Sequence, residues 1–185
     1  MDVTTCMRRT RRLVDGARYH VIARANRREF ILESDRMKEM LLTVIARARC
    51  RFRFSIDTLC IMDNHIHLLL RPGEGESLSR IMQWILSVFA VRFNRAFGLQ
   101  GHVWYDRFKS VVIGGLPQFA HAYSYIRENP VVAGIVAHAR EYGYGGAGVR
   151  RSGMSRILGP PGPLARLLFP EELGGNLLPP PYPAP

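Results

Sequence analysis

The chain has 185 residues, 47% of them hydrophobic, which suits one globular domain with a tail and excludes wholesale disorder. Its formal net charge is +11, and every basic residue except Lys38 and Lys109 is arginine, so polyanions are the partner class to expect. Cys6, Cys50 and Cys60 lack zinc-site spacing and fit a reducing cytoplasm, no apolar run is long enough to cross a membrane, and the basic N-terminus lacks the apolar stretch of a signal peptide.

Residues 1–18 are polar, basic and aperiodic, and read as an arm. Tyr19 to Arg24 reads as a first strand, followed by the basic loop Arg24-Ala25-Asn26-Arg27-Arg28. Ser34-Asp35 caps a helix whose apolar face is Met37, Met40, Leu41, Val44, Ile45 and Ala48. Strands follow from about Phe52 to Met62 and from His65 onward, with Asp63-Asn64 as the turn between them. Pro72 to Glu76 breaks the pattern, and Ser77 caps a second helix ending near Phe97-Gly98. Gly101 to Ile113 is strand-like. Pro117 opens a third helix, expected to end by Pro130, because the residue before a proline avoids helical geometry. From Gly143 onward glycine and proline leave little room for regular structure, apart from an apolar patch at 164–169 suited to one docked helical turn. The domain reading is an arm at 1–18, a catalytic domain at 19–142 and a Gly/Pro-rich tail at 143–185. The order β-α-β-β-α-β-α predicts an α+β fold, an antiparallel sheet with helices packed on its faces.

Two stretches carry candidate chemistry. In Asn64-His65-Ile66-His67-Leu68, strand alternation turns His65 and His67 to one face, where two imidazoles can serve a metal ion. The alternative is two rings that satisfy hydrogen bonds in a core wall. In Tyr125-Ile126-Arg127-Glu128-Asn129, Tyr125 and Asn129 are four apart and share a helix face, with His121 one turn earlier. A tyrosine beside a bound cation can act as a nucleophile on phosphate, and an asparagine carbonyl can complete a metal's shell. The alternative is packing for Tyr125 and a helix-end role for Asn129. Tyr123 is the rival nucleophile, but it lies nearly opposite on the helix and shares no face with Asn129. Arg24, Asn26, Arg27, Arg28, Arg107 and Lys109 are candidates for a DNA-binding groove, with Trp104 and Phe108 as stacking or core residues.

These stretches resemble one family. Residues 62–70 are similar to the histidine-hydrophobic-histidine (HUH) motif of the single-tyrosine, IS200-like transposases. Residues 101–110 resemble their next segment, and residues 125–134 the tyrosine segment of the REP-associated branch. Arg24-Ala25-Asn26 is similar to that branch's Arg-Gly-Asn, with Ala25 at the glycine, and Asp63 stands where the family usually has proline. Such an acid either strengthens metal binding or only alters the turn. The resemblance implies a ferredoxin-like sandwich and cleavage and rejoining of single-stranded DNA, hairpin-forming in particular. It implies Tyr125 as nucleophile, leaving a 5′-phosphotyrosine and a free 3′-hydroxyl, and His65, His67 and Asn129 as ligands of Mg2+ or Mn2+. It is compatible with a monomer or a homodimer. The rivals are a non-catalytic nucleic-acid-binding module and, more weakly, a metal-dependent hydrolase of small phosphates.

Overall fold

The structure is a computed structural model that describes residues 14, 16–154, 156–159 and 161–170. Residues 1–13 of the arm and the proline run at 179–181 lie outside the described residues. Strands β1 (Arg18–Arg24), β2 (Phe54–Ile61), β3 (His65–Pro72) and β4 (Lys109–Ile113) form one sheet in the order β2-β3-β1-β4. All three pairings are antiparallel, as expected for a ferredoxin-like sheet. Helices α1 (Asp35–Arg51) and α2 (Leu78–Phe97) cover one face and α3 (Leu116–Val132) the other.

Alternation along the strands sorts the side chains between these faces. Tyr19, Val21 and Ala23 of β1, with Ile66, Leu68 and Leu70 of β3, enter the core beneath α1 and α2. Leu69 and Cys60 pack on the opposite side with Phe119, Tyr123 and Ile126 of α3. A register shift between Ile56 and Thr58 changes the phase of β2. Phe54 and Ile56 before it, and Leu59 and Ile61 after it, therefore all reach the first core.

Apart from Ser34, which starts α1 without a side-chain capping hydrogen bond, the helices obey their local signals with one exception. Asp35 opens α1, and Arg49 and Arg51 end it, matching charge to the helix dipole. Ser77 Oγ accepts from the Arg80 amide at the start of α2, and Gly98 ends that helix at φ 63°, where a side chain would be strained. The exception is α3, which runs through Pro130 to Val132. A proline near a helix end removes one amide donor, and the chain closes the last turn with Ala133 N–H to Asn129 O (3.0 Å) and Ile135 N–H to Pro130 O (2.9 Å). Asn129 consequently keeps helical geometry, one turn after Tyr125.

Two other regions depart from expectation. Only Lys109–Ile113 of the stretch 101–113 is strand. The preceding loop meets the end of β1 at a bridge, Ala25 to Trp104, and the Trp104 indole N–H donates to Leu86 O on α2 (2.9 Å). The tail contains helices α4 (Gly146–Arg151) and α5 (Pro163–Leu168), and it lies along the outer edge of β2. Cys60 bridges Gly145, and the Gly159 amide donates to Ile56 O (3.1 Å), so this edge has partners. Gly148 permits the close turn: a Cβ there would fall 2.4 Å from the carbonyl oxygens of Tyr142 and Gly143.

The β2–β3 turn is tied down from several sides. Asp63 Oδ1 lies 2.7 Å from the buried Lys38 ammonium, which also donates to Glu33 O (3.0 Å). The Leu32 amide donates to Asp63 O and the Ala25 amide to Asn64 O. Asp63 thus joins the turn before the histidine strand to α1. Removing its carboxylate leaves a buried cation without a counter-charge. Asp63→Ala is expected to cost about 2 kcal/mol, moderated by the remaining Lys38 contacts. The reading is a lower urea midpoint at unchanged slope; an unaltered midpoint would contradict the anchoring role.

Candidate active site

Register builds the site on the α3 side of the sheet. Arg24 pairs with His65, Ile22 with both His67 and Lys109, and His20 with Leu69 and Val111. Directly paired residues point the same way, so Arg24, His65, His67 and Lys109 share one face with His20. From α3, Tyr125 sets its ring edge-on to His67 with centroids 5.5 Å apart. Asn129, one turn further, hydrogen-bonds His65 through its side chain and donates from Nδ2 to the Tyr125 carbonyl (2.6 Å). Tyr125 is half exposed, whereas Tyr123 is buried and stacks on Phe169 at 4.3 Å between centroids.

The ring nitrogens of the histidines are individually engaged. His65 Nδ1 lies 2.7 Å from Asn64 Oδ1. His67 Nδ1 lies 2.9 Å from Nε2 of His20, a diagonal neighbour on β1. His67 Nε2 is buried and has no hydrogen-bond partner among the described residues. An orphaned buried N–H is the costlier arrangement, which favours a proton on Nδ1, donated to His20, and a bare lone pair on Nε2. Burial pushes the His67 imidazole down to about 3, aided by the charges of His65, His20 and Arg24. Burial also lowers His65, further depressed by Arg24 and opposed by the Asn129 hydrogen bond and Asp63. His20 is lowered by burial and by His121. Neutral imidazoles near neutral pH are what a metal ligand requires.

No cluster of three His, Cys, Asp or Glu side chains able to hold a metal exists among the described residues, so a closed zinc site of such ligands is not formed. Two neutral imidazoles and an amide oxygen fit an open, mixed nitrogen and oxygen site, and the partnerless His67 Nε2 is the atom such an ion would satisfy.

The basic candidates also converge. Arg24, Arg27, Arg28, Arg107 and Lys109 line one groove of about 520 Å³ beside the histidines. Arg27 and Arg28 both have positive φ, 49° and 60°, an unusual backbone for two successive arginines. Asn26 helps hold that turn: its Oδ1 accepts from the Arg27 amide (3.0 Å), and its Nδ2 donates to His102 O (3.4 Å). Asn26 therefore links two loops and lines a neighbouring cleft rather than the basic groove itself. Phe108 is buried and Trp104 packs on Phe89, so both serve the core; the exposed aromatic ring of that loop is Tyr105, at 73%.

Two residues escaped the sequence reading. His20 alternates correctly with Ile22 and Arg24, but its contact with His67 depends on strand register 47 residues away. Lys38, on the polar side of α1 by sequence, is the buried partner of Asp63.

Comparison with known proteins places the chain among DNA transposases. The family described as "Transposase IS200 like" matches residues 13–129, and the chain belongs to it. A solved structure of the REP-associated tyrosine transposase bound to a REP hairpin superposes with a TM-score of 0.65, at 24% identity over 83% of this chain and 89% of that one. That likeness establishes the α+β fold. A transposase structure from Deinococcus radiodurans matches more loosely, with a TM-score of 0.47 and 20% identity over 65% of this chain and 95% of that one, and carries no argument. No curated protein sequence matches.

The neutral histidines have a cost at low pH. Unfolded His67 takes up its proton near pH 6.5, whereas the folded residue stays neutral to about 3. Between these values the unfolded state binds the extra proton, so stability falls as pH falls, by up to about 1.4 kcal/mol per pH unit for this group. Above about pH 6.5 it contributes no pH dependence. His67→Gln should flatten the decline in urea midpoint below about pH 6; parallel wild-type and variant profiles would contradict a neutral buried His67.

Proposed function

We propose that this protein is a metal-dependent transferase of single-stranded DNA, of the REP-associated tyrosine transposase kind, with Tyr125 as its nucleophile. The observation that supports this most is the meeting of Tyr125 with His67, whose buried Nε2 has no partner among the described residues while His20 holds the other ring nitrogen. A bare lone pair on a ring held at its other nitrogen, beside a half-exposed tyrosine, suits a ligand to an ion.

His65, His67 and Asn129 would hold the ion, Mg2+ or Mn2+. Bound there, it would withdraw charge from a phosphodiester without any proton transfer. The Tyr125 hydroxyl oxygen forms a bond to phosphorus, and the bond from phosphorus to the 3′-oxygen breaks. The leaving strand gains a proton as a 3′-hydroxyl, and the other strand stays on Tyr125 through its 5′-phosphate. One phosphodiester replaces another, so a second 3′-hydroxyl can reverse the step without a nucleotide cofactor. Half exposure of Tyr125 leaves room for an incoming strand.

Arg24, Arg27, Arg28, Arg107 and Lys109 would carry the strand's phosphates in the groove beside the histidines. Asn26 would act by holding the loops that shape this groove. The substrate class is a folded single strand, in keeping with the REP hairpin bound by the structural relative. A small phosphate ester needs no groove with five cations, which disfavours a hydrolase of small phosphates.

A labelled hairpin with unpaired flanks, incubated with the protein and Mn2+, is expected to give an adduct that survives denaturation. Tyr125→Phe should abolish it and Tyr123→Phe should keep it if the fold survives loss of one buried hydroxyl. An adduct that persists in Tyr125→Phe rejects the assignment. Tight binding with no adduct under any metal favours the non-catalytic binding module.

A further inference from the structure

Asn64, in the turn before the histidine strand, touches His65 and the basic loop at once. Its Oδ1 lies 2.7 Å from His65 Nδ1, and its Nδ2 donates to Arg28 O (3.4 Å). Its backbone carbonyl accepts from the Ala25 amide (2.8 Å). The backbone bond ties the turn to one end of the loop 25–28, and the side chain reaches the other end.

These contacts fix which way the amide faces. The Arg28 carbonyl oxygen only accepts, so the Nδ2 side of Asn64 must meet it. That sets Oδ1 against His65, and an amide oxygen also only accepts. The proton of a neutral His65 therefore sits on Nδ1, and Nε2 keeps a bare lone pair. The ring nitrogen left for an ion is thus chosen by a carbonyl of the loop that carries Arg27 and Arg28, which line the cationic groove. That loop is held against its own preference. Arg27 and Arg28 stand at φ 49° and 60°, the left-handed region that a side chain disfavours. Such a backbone persists only where contacts hold it, and a strand whose phosphates engage Arg27 and Arg28 adds to those contacts.

We propose that Asn64 is a positioning residue that couples the basic loop to His65, so that a strand in the groove and an ion at the histidines strengthen each other's binding through it. This rests on the reading of the site above and adds an order to it: the ion is held tightly only once the strand is in place. By linkage the effect is reciprocal, and the ion tightens the strand by the same factor.

Two variants of the full-length protein separate orientation from coupling. Asn64→Ala removes both side-chain contacts. Asn64→Asp keeps an oxygen for His65 Nδ1 but offers Arg28 O no donor. Neither touches the backbone bond to Ala25, and matched circular dichroism melts exclude misfolding. Nitrogen-15 NMR of histidine-labelled protein, without metal and at mildly alkaline pH, reads the tautomer. Wild type and Asn64→Asp are expected to carry the His65 proton on Nδ1, and Asn64→Ala to show a mixture. Mn2+ affinity is then followed by electron paramagnetic resonance with and without a DNA hairpin, in a Tyr125→Phe background that leaves the strand intact. Asn64→Ala should bind Mn2+ about tenfold more weakly, as loss of the partner behind a ligand does. DNA should raise Mn2+ affinity about tenfold with Asn64 present. In either Asn64 variant that gain should fall to about threefold or less, the remainder being direct attraction between ion and phosphates. An unchanged tautomer in Asn64→Ala, or an equal gain from DNA in all three proteins, overturns the proposal. The two readings fail separately: an adduct on Tyr125 with an equal gain rejects only the coupling, whereas a shifted tautomer and coupled binding without any adduct reject only the chemistry.

Discussion

The pairing of β1 with β3 is the constraint on which the site depends. These are the two central strands, and their register sets Arg24 against His65 and Ile22 against His67. Tyr19, Val21 and Ala23 on one strand and Ile66, Leu68 and Leu70 on the other must all reach the core under α1 and α2. A slip of one residue would exchange these apolar side chains for His20, His65 and His67 and bury imidazoles among leucines. The hydrophobic side of the sheet therefore enforces the geometry of the polar side. His20 meets His67 diagonally across the same pair, so the contact that orients the His67 ring follows from that register.

The two faces of the sheet divide the work. One is covered by α1 and α2 and carries most of the buried apolar surface. The other receives α3, which packs through Phe119, Tyr123 and Ile126 and turns Tyr125 and Asn129 toward the histidines. The tail and the residue before it support this arrangement, with Phe169 stacked on Tyr123 and Tyr142 donating to Ile61 O at the end of β2. The site carries local costs: a buried ring nitrogen without a partner among the described residues, a His67 held neutral, and two arginines at positive φ. The rest of the sheet absorbs them.

Much of this was legible because it follows from short-range periodicity. Period two places His65 and His67 on one face, and a four-residue step places Asn129 beneath Tyr125; neither needs tertiary information. Contacts between distant segments were not legible. His20 reads as an ordinary strand residue until β1 is laid against β3, and Lys38 reads as a solvated cation until the β2–β3 turn brings Asp63 to it. The local rule at Pro130 failed because one missing amide near a helix end is a small loss beside the packing of α3. Glycine in the tail suggested irregularity, whereas Gly148 is what lets α4 fold closely on Tyr142 and Gly143. Trp104 and Phe108 could have faced either way, and core packing took both, leaving Tyr105 exposed.

The central claim is that the histidine strand and the third helix form one reaction centre with Tyr125 at its nucleophilic end. Tandem mass spectrometry of the denatured, protease-digested DNA adduct tests it most directly, because it locates the covalent bond on the chain. The account predicts a nucleotide phosphate on the Tyr125 hydroxyl and on no other residue. A phosphate on Tyr123 or Tyr105, or cleaved DNA with no modified tyrosine, would contradict it.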